Sequence, residues 1–141
     1  MRGTTRDPGH LAVIEAAGAQ ALVADPDRVV TLMPALDHVA IVCVLLGSAR
    51  GERAALRALH GPRLEMLLER LIDTTARGLV YEATGSAPAD VLAAGAERVR
   101  QAATRSRIPF ALLSSRPEPW ANWVRMAVEE IELLLERAAA A

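Results

Sequence analysis

Residues 38–47 read HVAIVCVLLG, and the eight positions from Val39 to Leu46 are all apolar. A strand with one face in water alternates polar and apolar side chains, so an unbroken short run closed by Gly47 predicts a strand covered on both faces. Strands of that kind belong mainly to parallel sheets with helices on either side. The rest of the chain is therefore expected to supply neighbouring strands and the helices that cover them. Cys43, the one cysteine, falls inside the run and is expected to be a packed core thiol. A single thiol closes no intrachain disulfide and suits a reducing compartment.

Working outward from this run, the chain alternates extended and helical pieces. Upstream, RGTTR at 2–6 is a short β-prone segment that stops at Asp7-Pro8, a strong helix start, and Leu11, Ile14 and Ala17 then share a face before Gly18. ALVA at 21–24 predicts a second strand, and Asp25-Pro26 opens a helix that Pro34 must keep short or irregular. Downstream, GSARGERAALRALHGP predicts a polar connection, after which Pro62 opens a helix carrying Leu64, Leu67, Leu68, Leu71 and Ile72 at helical spacing, ended by Gly78. LVYEA at 79–83 predicts a fourth strand. A helix from Pro88 follows, with Val91, Leu92, Gly95, Val99 and Ala102 inward. IPFALL at 108–113 predicts a fifth strand. The last helix starts near Pro119, with Trp120, Trp123, Val124, Ala127, Ile131, Leu134 and Leu135 on one stripe and a tail of alanines that should fray.

Five strand-helix repeats with short connections predict one α/β domain over residues 1–141, with right-handed crossovers. In such sheets ligands bind outside the carboxyl ends of the strands. Those ends are Thr5-Arg6, Asp25-Pro26, Leu46 to Arg50, Ala83 to Ser86 and Ser114 to Arg116.

Composition removes several function classes. The formal net charge of -1 gives no basic footprint for nucleic acid. No apolar run approaches the roughly 18–20 residues that span a bilayer, and residues 1–10 have no apolar core after their basic residues, so a cytoplasmic protein without membrane contact is expected. All 16 basic residues are arginine, which excludes a Schiff base, a P-loop lysine and a lysine general base from this chain. His10, His38 and His60 have no companion at metal-ligand spacing, so no metal is expected.

The run RGTTRDP, a helix ending in AAGA, then ALVADPD and PALDHVAIVCVLLG resembles the dinucleotide-binding half of the extended and atypical short-chain dehydrogenase/reductases, the NAD-dependent epimerase/dehydratase-like relatives. GLVYEATGS and RIPFALLSSRPEP are similar to that family's next two strands and their exits. The resemblance implies a Rossmann-like parallel sheet of about five strands with helices on both faces. It also implies a gap. In the family, a first strand, a GxxGxxG turn and a helix precede what is here RGTTR, and this chain contains no Gly-x-Gly-x-x-Gly. Its sheet would lack the strand that sits between the RGTTR strand and HVAIVCVLLG. Either the natural start lies upstream, or the chain closes the gap by rearrangement or with a partner.

Carried over residue by residue, the resemblance implies a cofactor site. Arg6, with Thr5, would face the ribose 2' position, where a guanidinium favours NADP; Asp25, at the Asp25-Pro26 exit, matches an adenine-contacting acid and serves equally as a helix cap. Leu46, Gly47 and Ser48 would pass the nicotinamide-side ribose, Gly47 allowing close backbone approach. The family's proton-transferring Tyr with a Lys four residues on has no counterpart: Tyr81 is the sole tyrosine and position 85 is Gly, so no catalytic residue is assigned. Two function classes follow. One is a relative of nicotinamide-dependent reductases and epimerases, catalytically impaired as this chain; the other is a non-catalytic module acting by association, as a homodimer through a sheet edge or the C-terminal helix.

Overall fold

The computed structural model describes residues 1–140. β1 (Arg2–Thr5) is followed by a 3-10 turn, Pro8–His10, in which Asp7 Oδ1 accepts the Gly9 N–H at 2.8 Å, and the turn runs on into α1 (Leu11–Ala16). The Asp-Pro start therefore acts as expected. Gly18, at φ 90°, turns the chain into β2 (Gln20–Val23), which lies parallel to β1 from Arg2 opposite Gln20 to Thr5 opposite Val23. Residues Val29–Leu36 form 3-10 turns around Pro34, the irregular helix that proline requires.

β3 (Ile41–Val44) is shorter than the apolar run that contains it, and it pairs in parallel with β4 (Gly78–Glu82). β4 in turn pairs in parallel with β5 (Phe110–Leu113). The five strands thus form a two-stranded sheet, β1-β2, and a three-stranded sheet, β3-β4-β5. No strand joins the two sheets, and the resemblance left out a strand between β1 and β3.

That division corrects the reading of residues 38–47. The strand buried along its whole length is β4, not β3. β3 has a hydrogen-bonded neighbour on one side only, so Val42 and Val44 are buried, Ile41 is partly covered and Cys43 is exposed rather than a core thiol.

Between β3 and β4 the chain is helical for longer than expected. The supposed polar connection contains α2 (Arg53–Ala58), and a π-helical turn, Leu59–Arg63, carries the chain directly into α3 (Leu64–Leu71). Pro62 is accommodated inside this stretch rather than at its start because the ladder is already broken at Gly61, whose φ of -113° and ψ of -108° are not helical. Leu64, Leu67, Leu68 and Leu71 are buried as their spacing predicts, whereas Ile72 follows the last full turn and is exposed. Gly78 begins β4 instead of ending α3.

α4 (Ala89–Ser106) buries Val91, Leu92, Gly95 and Val99 and closes on Arg107, a left-handed residue at φ 57° whose N–H bonds back to Ala103 and Thr104. α5 (Trp120–Ala140) is helical through the first three alanines of the tail expected to fray, and Ala141 lies outside the described residues. Strand alternation sorts the core to the two faces. Val42, Val44, Leu79 and Tyr81 pack with α3, α4 and Val29–Leu36, while Val80, Ala111 and Leu113 pack with Trp123, Ala127 and Leu134 of α5. Trp120, Val124 and Leu135, expected on the inward stripe of α5, are exposed instead. The three-stranded sheet is too narrow to cover a stripe that wide.

Candidate functional site

The strand exits form two groups. At the first, Thr5 Oγ1 accepts the Asp7 N–H at 3.1 Å, and the Thr5 carbonyl accepts the Ala24 N–H at 3.0 Å, which ties the β1 and β2 exits together. Arg6 is exposed, with Nη1 3.7 Å from Asp27 Oδ2. An ion pair this open to water is worth little and leaves the guanidinium free for another anion. Asp25 Oδ1 accepts the Asp27 N–H at 2.9 Å, so the carboxylate closes a local turn, and Pro26 sits half-buried within that turn. Asp27 is also 3.9 Å from Arg63 at the start of α3. The expected residues Thr5, Arg6, Asp25 and Pro26 are therefore neighbours, and Asp25 closes a turn ahead of the 3-10 segment rather than capping it, since the N-cap position is Arg28.

The second group joins the exits of β3, β4 and β5. The Leu46 carbonyl is held by His60 Nε2 at 3.1 Å, and His60 Nδ1 meets the Tyr81 hydroxyl at 2.6 Å. With Nε2–H donating to the carbonyl and Nδ1 accepting from the phenol, a neutral imidazole satisfies all three groups. Burial disfavours the charged ring and lowers the His60 pKa, against the smaller opposite pull of the Leu46 carbonyl. Burial likewise raises the Tyr81 pKa, opposed by Arg98 and reinforced by Glu82. Tyr81 is fully buried, so its hydroxyl braces the fold and reaches no substrate.

Gly47 follows Leu46, and its N–H donates to the buried Glu82 Oε1 at 2.7 Å. A Cβ on Gly47 would overlap the Thr84 carbonyl oxygen, and one on Gly85, at φ 149°, would overlap the Gly47 carbonyl. The two exit turns cross at backbone distance, and this crossing needs both glycines. The close approach expected of Gly47 is thus made by the protein's own β4 exit.

Ser48 Oγ accepts the Ser86 N–H at 3.2 Å and an Arg116 Nη1–H at 2.8 Å, linking the β3 exit to those of β4 and β5. The Arg116 guanidinium also lies 5.9 Å from the Trp120 ring centroid, and Trp120 stacks on Trp123 at 4.6 Å. Residue-type reading singled out Ser48 but named Arg116 only within the Ser114 to Arg116 exit and gave it no role; Arg116 sits 68 positions away and reaches Ser48 only through the parallel order of the strands. Its position at a strand exit was the one available signal. His60 was given no role either, because the helical turn that seats His60 was read as a connection. Among the described residues no group of three or more His, Cys, Asp or Glu is placed to hold a metal, and no helix is long and apolar enough to cross a membrane.

No protein-family model and no curated protein matches the chain. Two solved structures of Citrobacter sp. triphenylmethane reductase, one of them complexed with NADP(H), match it with a TM-score of 0.62 at 16% sequence identity. The match covers 82% of this chain and 40% or 39% of the reductase, so the chain spans about 40% of that enzyme's length. At this identity the likeness shows the fold: a Rossmann-like α/β arrangement of parallel strands with helices on both faces.

Proposed function

We propose that this chain is part of a nucleotide-binding protein related to nicotinamide-dependent reductases and epimerases, that its first group of exits favours NADP over NAD, and that the chain alone carries no redox turnover. The supporting observation is the joined exits of β1 and β2, where the exposed Arg6 guanidinium stands beside Asp27 and the Asp25 turn. Parallel α/β sheets hold their ligands outside the carboxyl ends of their strands. The NADP(H) carried by the Citrobacter reductase is consistent with this reading.

The residues fit one half of such a ligand. Arg6 offers an exposed guanidinium suited to a 2'-phosphate. The diphosphate half does not fit: the chain has no Gly-x-Gly-x-x-Gly, and the space a side chain would take at Gly47 is filled by the Thr84 carbonyl. With Tyr81 buried and no lysine present there is no phenol-lysine pair to move a proton.

Thermal unfolding in the presence of NADPH or NADH tests this. NADPH at 100 times its dissociation constant should add about 2.7 kcal/mol, and Arg6→Ala should abolish the preference over NADH. No stabilisation by either cofactor at millimolar concentration overturns the reading.

A second reading rests on surfaces. Trp120, Val124, Val128 and Leu135 are exposed along α5, and β1 and β3 each have one unpaired edge, so association of two copies would cover apolar side chains or sheet edges. Sedimentation equilibrium that finds only monomer across a wide concentration range rejects it.

A further inference from the structure

The joined exits of β3, β4 and β5 gather hydrogen-bond donors. Ser48 Oγ accepts two bonds, from Ser86 N–H and Arg116 Nη1–H, and a hydroxyl has two lone pairs, so its own proton is left to donate outward. Arg116 uses one of its five N–H groups on Ser48. Like nine other arginines of the chain it makes no ion pair among the described residues, and it differs from most of them in being held by a side chain of another strand exit. The guanidinium is also not free to swing, since Ser48 holds one nitrogen and the indole face of Trp120 lies within cation-π range.

We propose that Arg116, with Ser48, forms a binding site for an oxyanion, a carboxylate or a phosphoryl group carried by a ligand that lies across the exits of β3, β4 and β5. Three facts carry it. The Arg116 guanidinium has only donors and the Ser48 hydroxyl, with both lone pairs used, has only its proton to offer, so an acceptor-rich group is what these two side chains complete. The cation is already oriented, so little side-chain entropy remains to be lost on binding, and a guanidinium fork matches the two oxygens of either anion. The location is the carboxyl rim of the sheet, where the fold places its ligands. The inference shares Ser48 with the dinucleotide reading but rests on Arg116, which that reading does not use and which stands at the exit of a different sheet from Arg6, so loss of the NADPH preference in Arg6→Ala and loss of anion binding in Arg116→Gln are distinguishable.

Two-dimensional NMR of the whole chain, observing arginine Nε–H and tryptophan indole N–H signals, tests it with inorganic phosphate and with acetate at ionic strength held constant by chloride. The expected result is a saturable shift of the Arg116 and Trp120 signals that persists in Arg6→Ala, with phosphate the tighter probe if the ligand group is phosphoryl and acetate if it is a carboxylate. Arg116→Gln should weaken binding by about tenfold, and Ser48→Ala by a smaller factor, since a charged partner contributes more than a hydroxyl. Arg116→Lys keeps the charge but not the fork, so it should fall between wild type and Arg116→Gln. Shifts that stay linear in anion concentration, or equal affinities in wild type and Arg116→Gln, overturn the site. Arg116 is exposed, so its variants should keep the remaining amide spectrum; if Arg116→Gln does not fold, Arg116→Lys and Ser48→Ala carry the same comparison.

Discussion

Gly95→Ala tests whether the exit of β3 is braced from beneath by Tyr81. In most helices this change adds about 1 kcal/mol of stability, because glycine is the weaker helix former. Here the new Cβ would overlap the Tyr81 hydroxyl and stand 2.9 Å from its Cζ. Tyr81 is fully buried, so it can yield only by disturbing the core, at a cost of about 1–3 kcal/mol. Its displacement also breaks the 2.6 Å bond to His60, which leaves a buried acceptor unpaired at about 1–3 kcal/mol more. The net expectation is a loss of about 3 kcal/mol. Tyr81→Phe alone removes the bond but not the ring and should cost about 2 kcal/mol. In the double variant the overlapping oxygen is gone and the bond is lost only once. Its cost should therefore be about 1–2 kcal/mol rather than the sum of about 5, because the bond loss is then partly offset by the helix gain, and this coupling is well above the few tenths expected for independent sites. Urea unfolding of the four proteins with unchanged m-values measures the cycle. Additivity within about 0.5 kcal/mol, or a stabilising Gly95→Ala, refutes the brace.

Other outcomes follow from the same coordinates. Gly47→Ala places a Cβ against the Thr84 backbone carbonyl and near Glu82, neither able to move freely, so it should destabilise by about 3 kcal/mol or more in urea unfolding, and a loss under 1 kcal/mol contradicts the crossing of the two exits. Arg107→Gly relieves a left-handed residue at φ 57° at the end of α4 and should stabilise by up to about 1 kcal/mol, detectable as a raised melting temperature. Because the native His60 pKa lies below its ordinary 6.5, the unfolded chain takes up the proton first; the His60 contribution is complete above about pH 6.5 and is lost as pH falls through the lowered native value. Unfolding midpoints between pH 8 and pH 5 should show this fall in wild type and a shallower one in His60→Gln, and parallel profiles would exclude His60 as its source.

What could be read from residue order was whatever depends on near neighbours. Asp7-Pro8, the leucines of α3 and the inward face of α4 each announce themselves within one or two turns. Place within the sheet does not announce itself in this way. The apolar run at 38–47 looks more central than LVYEA at 79–83, which contains a tyrosine and a glutamate, yet β4 is the central strand and β3 the margin. Tyr81 and Glu82 can lie in the centre because His60 and the Gly47 N–H receive their polar atoms, and both partners come from elsewhere in the chain. A hydropathy pattern records the cost of burying a polar atom but not the partner that offsets it.

The same limit explains the uneven legibility of the site. Thr5, Arg6, Asp25 and Pro26 lie beside strands that pair with each other, so their grouping needs only the right-handed crossover from β1 to β2. Arg116 meets Ser48 only after β3, β4 and β5 stand in order and the Gly47–Gly85 crossing draws the first two exits together. Each glycine, taken alone, marks a turn. Only their opposition makes Gly47 a structural requirement of the rim, because the atom that excludes its side chain belongs to Thr84. Hence the residues that shape this rim, His60, Tyr81, Glu82 and Gly85, are distinct from those that face outward from it, Ser48 and Arg116. Substitutions in the first set should lower stability, and substitutions in the second should change binding while leaving the fold intact.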